Sequence, residues 1–113
     1  MRLPEAHVAI IDERKVCDYL LSPAHVVGHT KARFFGRLGF TARNWRQFQT
    51  QLITLVQHAD ATATESNRLG QKYEVRGIIR ALNGRVAGVV TVWIVRHGEN
   101  RPRLVTVIPV ALR

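Results

Sequence analysis

An α+β domain, with two or three N-terminal helices packed on a four-stranded antiparallel meander sheet, is expected of these 113 residues on three observations. Apolar residues recur at helical spacing as far as His58 and thereafter alternate with polar ones. Asn83-Gly84 then interrupts the alternating half with a hairpin signal. Helices first and hairpin-joined strands afterwards describe segregated helical and sheet layers, not a parallel α/β sheet. The length gives room for one domain, residues 1–113, with a helical part over about 12–58 and a sheet part over about 60–110.

The elements follow in order. Asp12 is placed to cap a short helix from about Glu13 to Leu21, in which Val16, Tyr19 and Leu20 form the apolar stripe, and Ser22-Pro23 ends it. The segment SPAHVVGH reads as a loop. Thr30 is a good N-cap for a second helix, KARFFGRL, whose buried stripe is Phe34, Phe35 and Leu38 and whose C-cap falls to Gly39. Trp45, Phe48, Leu52, Leu55 and Val56 fall at helical spacing in a third helix from about Arg43 to His58. Residues 59–66 form a weak first strand. QKYEVRGIIR forms a second, with Tyr73, Val75 and Ile79 on one face and Lys72, Arg76 and Arg80 on the other. Beyond the Asn83-Gly84 turn, Arg85–Arg96 is the most apolar stretch and belongs at the centre of the sheet. His97–Pro102 is a second turn, and Arg103–Val110 closes the meander, with Pro109 marking an edge.

Charge narrows the function. Lys and Arg number 17 against 8 Asp and Glu, for a net charge of +9, and all but Lys15, Lys31 and Lys72 of the cations are Arg. Such a surface draws polyanions, and guanidinium groups grip phosphate or carboxylate with paired hydrogen bonds, so RNA or an acidic protein is the expected partner. The 46% apolar content is too high and too regularly placed for a disordered basic tail. The lone Cys17 excludes a disulfide framework, and no apolar run approaches the ~20 residues of a membrane span. Glu5, Asp12, Glu13, Arg14 and Lys15 stand where a secretory signal needs apolar residues, so a cytoplasmic protein with no membrane contact is expected.

Several chemistries lack their residues. HExxH, CxxC, GxSxG and GxxxxGK[ST] are all absent, so neither a metal site nor a cofactor is expected. What remains is a cationic site. Metal-free RNA cleavage needs a group to take the 2′-hydroxyl proton, another to protonate the leaving oxygen, and cations on the phosphate. Lys31 and His29, at the start of the second helix, are candidates for the proton transfers. Arg103, Thr106 and Thr91 complete the candidate catalytic set, while Arg33, Lys72, Arg76 and Trp93 are candidates for holding the phosphate or stacking on a base. Each also has a plainer reading: Trp93 as core, the threonines as ordinary strand residues, Lys72 as a solvated edge.

The segments DERKVCDYLLSPAHVVGHTKARFFGRLGF, GQKYEVRGIIRALNGR, TVWIV and PRLVTVIP together resemble a family of small uncharacterised bacterial proteins. Its members read HPxGxxKAxFFxxLGF, then GxKYxVxGxLxxPxGR, VxTVWI and PRLVTAYP. The resemblance spans nearly all of Ile10 to Pro109. It marks Lys31, Phe34, Phe35, Gly39, Lys72, Tyr73 and Gly77 in the first half of the pattern. In the second it marks Gly84, Arg85, Thr91, Trp93, Arg103, Thr106 and Pro109. Two departures stand out: His25-Val26 in place of His-Pro, and Val107-Ile108 in place of Ala-Tyr before Pro109. The family's layout looks like the barnase, EndoU, colicin and RelE class of toxin ribonucleases. A small partner gene beside it is the arrangement of a toxin with its antitoxin. The resemblance therefore implies a metal-independent endoribonuclease toxin, with RNA and a small acidic antitoxin-like protein as partners. The missing tyrosine near Pro109 leaves a non-catalytic basic binding module as the alternative.

Overall fold

The computed structural model describes residues 1–26 and 28–111, so Val27, Leu112 and Arg113, parts of the expected loop and domain, lie outside the described residues. Three helices precede a four-stranded antiparallel sheet, as the periodicity requires. Helix α1 is one turn, Glu13–Lys15, which runs on as a π-helical stretch, Val16–Leu20. Asp12 caps it, its carboxylate accepting from the Arg14 N–H at 2.8 Å. The Leu21 N–H reaches back to the Val16 carbonyl at 2.8 Å, and this wider turn lets Val16, Leu20 and Leu21 all enter the core.

Helix α2 spans His29–Arg37, and here one expectation fails: Thr30 is not its N-cap. The helix begins two residues earlier, after Gly28, because His25 supplies the starting contacts. Its Nδ1 accepts from the Gly28 N–H (2.8 Å) and its carbonyl from the His29 N–H (3.0 Å). The other end is as expected. Gly39 has φ +95°, its N–H bonding Gly36 and the Phe40 N–H bonding Phe35, both at 3.0 Å. Gly39→Ala forces a Cβ into this left-handed position, 3.3 Å from Leu82. It is expected to cost about 1–2 kcal/mol and lower Tm by several degrees in a thermal melt.

Helix α3, Trp45–His58, follows a 3-10 turn, Ala42–Asn44, with Thr41 and Asn44 forming a reciprocal capping box. Strands β1 (Ala61–Asn67), β2 (Gly70–Arg80), β3 (Val86–Arg96) and β4 (Arg103–Val110) lie in the order β1-β2-β3-β4. The Asn83-Gly84 signal marks a real hairpin, but only Gly84 has positive φ (+87°). Leu82-Asn83-Gly84 form a three-residue loop closed by the Ala81 N–H on the Arg85 carbonyl at 2.7 Å. β4 is an edge strand, which accommodates Pro109. It pairs Thr106 with Val92 but Leu104 with Trp93, leaving Val105 as a bulge immediately before Thr106. At its start it is covered by Ile10, which bridges Arg103 in parallel.

The core lies between the helices and one face of the sheet. Phe35, Phe48 and Phe40 meet edge to face, with centroids at 4.9 and 5.3 Å. Val75, Ile79, Val89, Trp93 and Val107 complete the core from the strands. Helix α3 lies across β2, Leu55 resting on Gly77, while α2 packs against β4. Among the described residues no helix is long and apolar enough to cross a membrane.

Candidate functional site

The packing of α2 on β4 brings Lys31 to Thr106, two candidates 75 residues apart in sequence, with Nζ–Oγ1 at 2.7 Å. The same ammonium donates to the Tyr19 hydroxyl at 3.0 Å and lies 5.2 Å from the centre of that ring. Tyr19 and Thr106 oxygens are 3.5 Å apart, so three polar heads from α1, α2 and β4 converge on one point. Lys31's hydrogen bond, with the Thr106 hydroxyl and the charges of Lys31 and Lys15 behind it, holds the Tyr19 phenol below its ordinary pKa of 10.0 against the opposing effect of burial.

His25 packs edge-on to Tyr19 with ring centroids at 5.0 Å. Because its Nδ1 accepts from Gly28, the ring proton of the neutral imidazole sits on Nε2. Gly28 is required here for space: a Cβ would collide with the Tyr19 backbone carbonyl and ring.

Of this triad, Tyr19 also lines a groove, with Asp12, Arg14, Lys15, Asp18 and His25. A second groove adjoins it, sharing Asp12 and Lys15 and continuing to Lys72, Arg96 and Arg103. Lys15 and Lys72 therefore border one continuous surface, and Lys31 reaches it through the Tyr19 hydroxyl. Arg103 is held by Glu99, Nη2–Oε2 at 2.9 Å and Nε–Oε1 at 3.4 Å, which keeps three N–H donors besides. That pairing lowers the Glu99 pKa and raises that of Arg103. Lys72 is loosely paired with Glu65 at 4.0 Å.

The remaining candidates lie elsewhere. Thr91 and Trp93 are both 0% exposed; the indole N–H donates to Thr91 Oγ1 (2.8 Å), which donates to the Val75 carbonyl (2.9 Å). Neither is positioned to touch a ligand, so the expectation that Trp93 stacks on RNA and that Thr91 orients a phosphate gives way to a structural role. His29 turns away from Lys31, its Nδ1 3.1 and 3.0 Å from the carbonyls of His25 and Val26. Arg33 shares that side of α2, and Arg76 stands exposed on strand β2 among the residues facing away from the helices.

Tyr19 and His25 were not among the candidates. Helical periodicity places Tyr19 in an apolar stripe, and only the π-helical winding sets its hydroxyl beside Lys31. His25 carried a signal, since it opens the segment that aligns with HPxGxxKA. Cys17 takes no part: burial and the nearby Glu13 and Asp18 raise its thiol pKa. Among the described residues no three His, Cys, Asp or Glu side chains gather as metal ligands.

No curated protein matches the chain in sequence. Among solved structures, a chain from a contact-dependent growth inhibition toxin–immunity protein complex of Klebsiella pneumoniae 342 shares the fold. Its TM-score is 0.69 at 15% identity, over 95% of this chain and 97% of that one. A family model described as "Domain of unknown function (DUF6883)" matches residues 2–111, and to that family the chain belongs.

Proposed function

We propose that this chain is the toxin of a toxin–immunity pair and acts as a metal-independent endoribonuclease centred on Tyr19, Lys31 and Thr106. The observation that carries the reading is the Lys31 ammonium bonded at once to a phenol and a hydroxyl, the phenol itself lining a groove that Lys15 shares and that continues to Lys72 and Arg103. The fold shared with a chain of a toxin–immunity complex supports the toxin assignment. The +9 charge supports a polyanionic substrate and an acidic neutralising partner.

In this reading the Tyr19 oxygen, as phenolate, takes the 2′-hydroxyl proton while O2′ bonds to the adjacent phosphorus. The bond from phosphorus to O5′ breaks, and Lys31 Nζ gives O5′ its proton. The products are a 2′,3′-cyclic phosphate and a 5′-hydroxyl end. Thr106 and the His25 Nε2–H donate to the non-bridging oxygens as their charge grows, and Lys15, Lys72 and Arg103 hold the flanking phosphates. The tyrosine missing before Pro109, the ground for a binding-only module, does not leave the site without a phenol. Ile108 occupies that position 41% exposed, while Tyr19 stands at Lys31.

The test is incubation of the purified chain with total RNA in EDTA. Discrete fragments ending in cyclic phosphate are expected; RNA left intact at high protein concentration overturns the reading. Because the base must ionise, cleavage should rise with pH through the neutral range toward the lowered phenol pKa.

A further inference from the structure

On the far side of α2 from the Tyr19 groove lies a third depression of about 560 Å³ that the reading above does not use. Pro23 and Ala42 present exposed apolar surface in it, above Leu21, Ala32 and Phe40, which are buried in the core. His29, Arg33 and Arg43 stand around it. No carboxylate lines it, and among the described residues no acid pairs with Arg33 or Arg43. An apolar cleft rimmed by two arginines suits a flat ring joined to an anionic group.

His29 adds direction. Two carbonyls within 3.1 Å of its Nδ1 fix the proton there, so the neutral ring offers Nε2 as an acceptor, the complement of an N–H on a base edge. Gly36 leaves the cleft open, since a Cβ at that position would meet nothing within 4 Å. The cleft is also close to the triad. Pro23 lines the cleft and His25 the Tyr19 groove, two residues apart on one loop, while Arg33 and Lys31 leave the same helix on different sides.

We propose that this cleft is a nucleotide subsite: it seats one RNA base over Pro23, Gly36 and Ala42 and the adjoining phosphate on Arg33 and Arg43. The proposal rests on the ribonuclease reading for its biological use, but its binding chemistry is testable without cleavage.

The four nucleoside 5′-monophosphates are titrated into the full chain by NMR, and into Gly36→Leu, Arg43→Ala and Lys31→Met. Leucine raises helix propensity at position 36, so Gly36→Leu should fold at least as well as the parent, and its thermal melt confirms that. At least one monophosphate is expected to bind the parent and Lys31→Met alike, about tenfold or more weakly to Gly36→Leu, and more weakly to Arg43→Ala. Any RNA cleavage by Gly36→Leu should show altered site preference. Failure of every monophosphate to bind the parent at millimolar concentration overturns the proposal, as does binding that Gly36→Leu leaves unchanged. Complex formation with an acidic protein that Gly36→Leu abolishes, without nucleotide binding, also overturns it and reassigns the cleft to that partner. If nucleotides bind through the cleft while RNA stays intact, the subsite stands and the ribonuclease reading falls. If RNA is cut and Gly36→Leu changes neither binding nor site preference, the reverse holds.

Discussion

Lys31→Met is expected to lower RNA cleavage by roughly 10²- to 10⁴-fold, the range that a positioned acid–base group supplies. Two effects coincide in this variant. The leaving oxygen loses its proton source, and Tyr19 loses the hydrogen bond that contributes most to lowering its pKa. The phenol should therefore titrate closer to its ordinary 10.0 in the variant, a change read directly from the phenolate absorbance. The loss should not come from unfolding. A depressed phenol pKa contributes stability that is fully present above the unfolded value near 10 and is lost as pH falls through the folded value. Methionine keeps the length and apolar stem of lysine, so packing beside the Tyr19 ring survives. A folded Lys31→Met that cleaves at the parental rate would remove Lys31 from the chemistry. A loss of activity with the Tyr19 titration unmoved would place Lys31 on the phosphate rather than on the phenol.

Much of the scaffold behind this site is legible in sequence, because its signals are local. The alternation in QKYEVRGIIR puts Val75 and Ile79 on the helix-covered face, where both are fully buried, and leaves Arg76 and Arg80 exposed. Gly39 is read as a helix stop from its place after a periodic run, and its φ of +95° agrees. The site is only half legible because it is assembled by features with no local signal. Tyr19 belongs to an apolar stripe under a period of 3.6, and a π-helical turn is not visible in residue spacing. His25 and His29 are both loop-edge histidines by sequence. Which one faces Tyr19 depends on how the chain turns at Gly28 against the Tyr19 backbone. Lys31 and Thr106 were chosen for residue type, and their meeting follows from α2 packing on the bulged edge strand. Thr91 and Trp93 show the opposite failure. The parity that places Ala87 and Val89 toward the helices places these two there as well, so the pattern that predicted the sheet already argued for their burial.

Trp93→Ala is expected to cost about 3–5 kcal/mol, as removal of a large buried aromatic does. That is a large share of the roughly 5–15 kcal/mol that holds a domain together. The indole is the largest fully buried side chain on the central strand, between Leu104 and Tyr73 in the ladder. Its loss leaves a cavity in a layer that the helices cannot collapse to fill without separating Phe35, Phe48 and Phe40. It also takes the donor from Thr91 Oγ1, whose own proton remains committed to the Val75 carbonyl. Thr91→Val attacks the same pair from the other side, stranding the indole N–H at about 1–3 kcal/mol. The two losses should then be less than additive in the double variant, because each removes one shared hydrogen bond. Urea unfolding of the parent, both single variants and the double variant checks this. RNA affinity measured at a temperature where Trp93→Ala remains folded separates core from ligand contact. A base-stacking Trp93 would lower that affinity by about 1–3 kcal/mol with little change in the urea midpoint. The buried position requires the reverse: a midpoint moved far toward zero denaturant, and RNA held by the folded fraction as tightly as by the parent.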